Sequence, residues 1–371
     1  MNTGFLDGKL QERFRRDAYR RLQLASGEHD FFSNDYLGVA KNGLIETALE
    51  GQSFSHGSTG SRLLAGNYPL IEEIEQQIAS FHDAPAALVY NSGYDANIGL
   101  LSAVAGRGDT ILYDQLSHAS IRDGIRLSLA NAFSFRHNDV EDLEKKLQGK
   151  KGNVFVVTES VFSMDGDQAP VIEMTSRCEH YGANLIVDEA HATGVVGALG
   201  EGLMQRENLH HRCFARVHTF GKALGCHGAA ILGSELLRNY LINFSRAFIY
   251  TTALPPVSAA AIRAAYELFP KMQAERKQLG RLITHLSAHR QITTANGETY
   301  SFKPSATAIQ CLVIPGNERV KTVANKLLDQ GFDIRPILHP TVPEGEERLR
   351  IALHSYNTVE ELERLIAILK G

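Results

Sequence analysis

Short, unbroken apolar runs alternate along the middle of the chain with stretches whose apolar residues recur at helical spacing. The runs AALVY at Ala86–Tyr90, TILY within DTILYDQLSHASIRDGI and VFVV within GNVFVVTES read as strands, and LIV at Leu185–Val187 is of the kind buried on both faces. Each is followed by a turn and a helical pattern: YDANIGLLSAVA beyond Gly93, the segment beyond His118, and a helix from Pro170. The expected fold class is α/β. A large domain would carry a mainly parallel sheet flanked by helices, with ligand chemistry at the C-terminal edge of its strands.

The flanking regions read differently. The first thirty residues predict an amphipathic helix, with Phe5, Leu6, Leu10, Phe14, Tyr19 and Leu22 near helical spacing. Gly57, Gly60 and Gly66 punctuate a polar loop before a helix from about Pro69, and the double proline of YTTALPP should open a long helix. From about Ser305, strand-like AIQCLVIP, the helix VKTVANKLLDQG, strands around FDIRPI and RLRIAL and a terminal amphipathic helix predict a smaller α+β domain. The expected division is an N-terminal helix and arm over 1–40, the large domain over 41–255, a linking helical region over 256–300 and the small domain over 301–371.

Composition narrows the class without choosing a chemistry. A chain of 371 residues, 43% hydrophobic and 22% charged, has the make-up of an ordinary globular protein. Its formal net charge of -4 supplies no basic footprint for nucleic acid. No apolar run reaches the roughly 18 residues of a membrane helix, and MNTGFLDGKLQERFRRDAYRR lacks the apolar core of a signal peptide, so a cytoplasmic protein without a membrane partner is expected. Cys178, Cys213, Cys226 and Cys311 show no CxxC or metal-ligand spacing, which predicts reduced thiols and no metal.

The chemistry gathers in VHTFGKALGCHGAAILG. Lys222 falls in a glycine-marked turn among Phe220, Ala223 and Leu224, where partial desolvation disfavours its charged form and favours a nucleophile toward an aldehyde. Asp188 ends the apolar run of NLIVDEAHATG at a strand's C-terminal end, where a carboxylate needs a cationic partner. The protonated ring nitrogen of pyridoxal phosphate (PLP) is one that fits. His191 would reach the ring's phenolic oxygen side. Singly, Asp188 is equally well a cap or ion-pair residue, and His191 a loop histidine. The string DEAH also suits a metal-binding nucleotide hydrolase, but no GxxxxGK[ST] cradle precedes it. Strand, glycine turn and helix at Gly93 and Tyr94 make a phosphate site, to which Thr219 would add a hydroxyl.

Seven strings, SGYDAN, LSHAS, ESVFSMDGD, VDEAHATG, TFGKALG, YTTALPP and PTVPEGEERLRI, occur in an order that resembles the α-oxoamine synthase family, a class II branch of the fold-type I PLP enzymes. The resemblance runs from about Phe31 to the C-terminus. It implies a PLP-dependent acyltransferase, most like the branch that joins L-alanine to a pimeloyl thioester carried by coenzyme A or acyl carrier protein. Glycine C-acetyltransferase is the nearest alternative. The resemblance further implies that His118 stacks on the cofactor ring, with capping of the next helix as the alternative, and that Glu159 and Ser163 support the cofactor. Thr251 or Thr252 would reach the phosphate of a partner subunit in a homodimer with shared active sites, and the Gly57–Gly66 loop would cross the dimer interface. Arg350 would grip the amino acid's carboxylate with Asn34. Thr341 and Arg20, or its neighbour Arg21, would lie toward substrate, and Arg348 is expected on the opposite strand face from Arg350.

Overall fold

The structure, a computed structural model, describes residues 3–25 and 27–371. The chain divides into two compact units. One comprises residues 35–163 and 168–276; the other takes the residues up to 34, the short segment 164–167 and residues 277–371.

The larger unit is built on a seven-stranded sheet in the spatial order Ala86–Tyr90, Ala229–Gly233, Ala215–Thr219, Asn184–Asp188, Val154–Glu159, Thr110–Asp114 and Asn131–Phe135. The last five pair in parallel, and Ala229–Gly233 runs antiparallel to both of its neighbours. Successive residues of a strand point to opposite faces, so an unbroken apolar run feeds two cores. Ile111, Phe155, Val157 and Ile186 enter one cluster, with Leu100 and Leu101 of the helix Gly93–Val104 and Ile121 and Ile125 of Ala119–Ser128. Leu112, Val154, Val156, Leu185 and Val187 enter the other, with Leu143 of Val140–Leu147 and Met174 of Val171–His180. Helices cover both faces, and the parallel strands ending at Asp114, Glu159, Asp188 and Thr219 present those residues along a single edge.

The smaller unit contains a five-stranded antiparallel sheet in the order Arg335–Ile337, Arg348–Ala352, Ile309–Val313, Thr299–Phe302 and Gln291–Thr293. Asn317–Asp329 and Val359–Lys370 are among its helices, the second opened by a capping box between Thr358 and Glu361. His29–Asp30 pairs in parallel with Phe332–Asp333.

Several expectations need correction. The N-terminal helix spans only Gly4–Arg15, ends before Asp17 at positive φ, and buries none of its residues; Tyr19 and Leu22 lie beyond it. The division of units also differs. The helix Pro256–Leu268 belongs with the large sheet, where Ala259, Ala260 and Ile262 are buried, and the boundary falls within Gln273–Ser287. Arg348 and Arg350 share a strand face, because positions two apart do, while Leu349 and Ile351 point the other way.

Candidate active site

Glu159 and Asp188 are paired residues of adjacent parallel strands, and both are buried. Two carboxyl groups at neighbouring positions cannot both carry charge cheaply when water is excluded. Burial, reinforced by the Asp188 charge, raises the Glu159 carboxyl to about 8, opposed by the His118 backbone N–H and by the Lys222 cation. That N–H donates to Glu159 Oε1 at 2.7 Å and fixes the strand-to-helix connection carrying the imidazole.

Asp188 uses both oxygens as acceptors. Oδ1 takes the Ala190 backbone N–H at 2.9 Å and Oδ2 takes the Asn97 side-chain amide at 2.7 Å. Each oxygen retains a second lone pair, so the carboxylate can still receive a cationic N–H. His118 is the N-cap of the helix Ala119–Ser128: its Nδ1 accepts the Ser120 N–H at 3.2 Å and lies 2.8 Å from Ser120 Oγ. The capping alternative is thus realised. It leaves the ring faces and Nε2 uncommitted to the cap. Desolvation, with the Lys222 charge, lowers the His118 pKa, while Asp188 and Asp123 oppose that shift, so the imidazole is neutral at ordinary pH.

Lys222 is half-buried in the turn following the strand Ala215–Thr219, and Phe220, Ala223 and Leu224 beside it are fully packed. The turn is closed by Phe220 N–H to Gly228 O at 2.9 Å, Cys226 N–H to Phe220 O at 3.0 Å and Gly225 N–H to Lys222 O at 2.8 Å. Gly225, at φ 63°, comes so close to the Val39–Ala40 backbone that a Cβ would stand 2.8 Å from Ala40 N. The Lys222 charge acts on both His118 and Glu159, as does that of Asp188, so the four groups share one electrostatic environment.

The phosphate expectation falls on a built feature. Ser92 caps the helix Gly93–Val104, accepting the Asp95 N–H at 3.1 Å, and first-turn N–H groups have no carbonyl within their helix to pair with. A Cβ on Gly93 would overlap Thr219 Cγ2, so this turn and the end of the neighbouring strand approach as closely as glycine permits. Tyr94 is partly exposed and donates to Asp123 Oδ2 at 2.5 Å. Asn91 holds the Thr251 hydroxyl at 3.0 Å and the Thr252 carbonyl at 2.8 Å, tethering that segment beside the turn. His191 Nδ1 meets the buried Tyr36 hydroxyl at 2.7 Å, and Ser163 is the last residue of its segment of the large unit. A buried acceptor carboxylate, a neutral imidazole, a lysine and a helix N-terminus with hydroxyls nearby together match the donor set that PLP requires.

In the smaller unit Arg350 Nη2 donates to Asn34 Oδ1 at 3.0 Å. Asn34 is placed by its neighbours: His354 Nε2 lies 3.1 Å from both Ser33 Oγ and Ser33 O, and Tyr356 donates to Asp30 at 2.9 Å. Arg20 Nη2 donates to Thr341 Oγ1 at 3.4 Å, so those two expected residues meet at the surface, whereas Arg21 lies over the Tyr19 ring. Arg348 is committed to a buried ion pair with Asp165.

Asn97, Ser120 and Tyr36 were not singled out from the sequence, although Asn97 and Ser120 lie within SGYDAN and LSHAS. Asn97 stands one helical turn beyond Gly93, and that spacing was the available signal. The DEAH glutamate, Glu189, is fully buried, and its oxygens take Ser160 Oγ and the Leu203 and Met204 N–H groups. That closed environment suits a structural carboxyl rather than a metal ligand of a nucleotide hydrolase.

Comparison with known proteins agrees with the geometry. Residues 24–369 match the family described as aminotransferase class I and II. The 8-amino-7-oxononanoate synthase of Emericella nidulans is 41% identical over 374 residues, covering 92% of this chain and 89% of its own. A serine palmitoyltransferase from S. paucimobilis, solved with PLP and myriocin bound, superposes with a TM-score of 0.86 at 26% identity, over 99% of this chain and 96% of that one. An 8-amino-7-oxononanoate synthase from Francisella tularensis superposes with a TM-score of 0.77 at 27% identity, over 92% of this chain and 96% of that one. With its parallel sheet, its lysine turn and relatives matching nearly end to end, the chain belongs to the PLP-dependent aminotransferase class I and II family, in its α-oxoamine synthase branch.

Proposed function

We propose that the chain condenses L-alanine with a pimeloyl thioester, with loss of carbon dioxide, to give 8-amino-7-oxononanoate for biotin biosynthesis. The carrying observation is that Lys222, Asp188, His118 and Glu159 act on one another at the carboxyl edge of the parallel strands, in a chain whose relatives bear that activity in their names. Coenzyme A or acyl carrier protein would carry the acyl group. The enzyme would work in the cytoplasm as a homodimer. Among the described residues no helix is long and apolar enough to cross a membrane.

PLP supplies an electron-accepting ring on which negative charge beside the amino nitrogen is stabilised. Asp188 would hold the proton on the ring nitrogen, and the neutral His118 would stack on the ring. His191 would serve the phenolic oxygen side, with Glu159 and Ser163 supporting. Gly93 and Tyr94 would bind phosphate through their N–H groups, and Thr219 and Thr251 through their hydroxyls. Lys222 would anchor the cofactor, and its Nζ would serve as the general base that takes the α-proton. Arg350 and Asn34 grip the amino acid's carboxylate and set the bond to be broken, with Arg20 and Thr341 toward substrate. The thiol leaves on acyl transfer, and the original carboxyl departs as carbon dioxide.

The test is a matrix of alanine, glycine and serine against pimeloyl, acetyl, succinyl and palmitoyl thioesters, read by free-thiol release. Alanine with pimeloyl donor should dominate. Preference for glycine with an acetyl donor would reassign the chain to glycine C-acetyltransferase. In parallel, borohydride should fix PLP to the wild-type chain and fail to fix it to Lys222→Ala.

A further inference from the structure

Between Asp188 and His118 runs an unbroken hydrogen-bonded path that no role assigned above explains. Asn97, on the helix Gly93–Val104, and Ser120, on Ala119–Ser128, are both almost wholly buried. The Asn97 amide nitrogen has two hydrogens and two acceptors, Asp188 Oδ2 at 2.7 Å and Ser120 Oγ at 3.0 Å, so its donor capacity is spent. Ser120 Oγ therefore accepts from Asn97, keeps its own hydrogen and one further lone pair, and lies 2.8 Å from His118 Nδ1. The Ser120 backbone N–H, a donor only, reaches the same Nδ1 at 3.2 Å. An imidazole nitrogen that accepts an N–H carries no proton of its own, so the imidazole is held as the Nε2–H tautomer and the Ser120 hydroxyl hydrogen also points to Nδ1.

We propose that Asn97 is a positioning residue for both ends of this path: one hydrogen of its amide orients the carboxylate that faces the cofactor's ring nitrogen, and the other, through Ser120, fixes the orientation and tautomer of His118. A single amide thereby sets the protonation pattern at the edge and the face of one bound ring. Protonating His118 at Nδ1 would require the Ser120 hydroxyl, oriented by Asn97, to rotate away and the Ser120 backbone N–H to lose its acceptor. The charged groups acting on His118 are Asp188, Lys222 and Asp123, and Glu159 receives its backbone N–H, so the path adds a directional constraint to an environment that already disfavours the imidazolium. This inference rests on the assignment of Asp188 and His118 to PLP.

The experiment compares wild-type, Asn97→Ala, Ser120→Ala and Asp188→Asn chains. It uses three readouts: the PLP dissociation constant, the pH midpoint of the bound cofactor's absorption band, and the 15N shifts of His118 in histidine-labelled holoenzyme. Hydrogen bonds to charged groups are stronger than neutral ones, so Asn97→Ala should weaken PLP binding about tenfold or more and move the absorption midpoint. Ser120→Ala keeps the Asp188 contact. It should leave PLP affinity near wild type while changing the His118 Nδ1 shift and raising that group's titration midpoint. Loss of packing alone would lower thermal stability without moving either midpoint. Asn97→Ser serves the same comparison if the alanine variant does not fold. Wild-type affinity, midpoint and His118 shifts in both the Asn97 and Ser120 variants would overturn the proposal. An unchanged Asp188→Asn chain would instead overturn the assignment of Asp188 to the cofactor, and the proposal with it.

Discussion

At the scale of single residues, the pairing of Glu159 with Asp188 has a consequence for stability as well as for chemistry. The Glu159 carboxyl is raised from 4.5 to about 8, mainly by burial. A folded value above the unfolded one means that the native state binds the proton more tightly. The stabilisation is then fully present below about pH 4.5 and is lost as pH rises through 8. Glu159→Gln keeps an Oε1 acceptor for the His118 N–H and cannot ionise. Apoprotein carrying it should match wild type in melting temperature near pH 4.5 and gain on it steadily up to pH 8, by about 1–3 kcal/mol, with the difference level beyond. Thermal denaturation across pH 4.5–9 reads this directly. A constant difference would show that Glu159 does not change charge over that range.

Among elements, the segment 164–167 carries the sharpest case. Residues on either side of it belong to the large unit, yet these four belong to the small one. Asp165 meets the fully buried Arg348 and, at 3.1 Å, Lys303, while the Gly166 carbonyl takes the Ser305 and Thr307 hydroxyls at 3.0 and 2.8 Å. A guanidinium withdrawn from water is tolerable only while its partner remains. Asp165→Asn should therefore cost about 3 kcal/mol, seen as a lowered melting temperature, whereas an effect within about 0.5 kcal/mol would mean that Glu346, whose Oε2 accepts from Arg348 Nη2 at 2.9 Å, alone suffices. Nothing local in MDGD announces such a partner, because the contact spans 183 positions of chain. The elements themselves were legible where pattern and length agreed, as in Ala86–Tyr90 and the helix opened by Pro256. Lys222 and Asp188 were legible because a strand end, a turn and a chemical type coincide there. Asn97 and Ser120 were not, since their meaning lies in where two helices bring their side chains. Arg348 departs from expectation because residues two apart share a strand face, and the first helix is shorter than its apolar spacing implies because the chain turns at Asp17.

At the scale of the whole molecule, two adjoining segments bear on whether a second copy of the chain completes each active site. The glycine-marked loop lies on the segment bearing the threonines: Ala253 N–H donates to Gly60 O at 3.0 Å and Ser58 Oγ to Leu254 O at 2.7 Å. On these two adjoining segments Leu63, Leu64 and Tyr250 are 51%, 83% and 71% exposed, an apolar group that favours coverage by a partner. Against this, Asn91 ties Thr251 to its own chain's Ser92–Gly93 turn, so an unshared phosphate contact is the competing arrangement. Co-expression of a Lys222→Ala chain with a Thr251→Tyr chain, under two tags, separates the two. In a heterodimer with shared sites one site collects both defects and the other neither, so about half of wild-type activity should return from two inactive parents. If each chain uses its own threonine, both sites of the heterodimer carry one defect and the purified species stays inactive. That outcome would place the threonine in its own chain's site and remove the reason for an obligatory dimer.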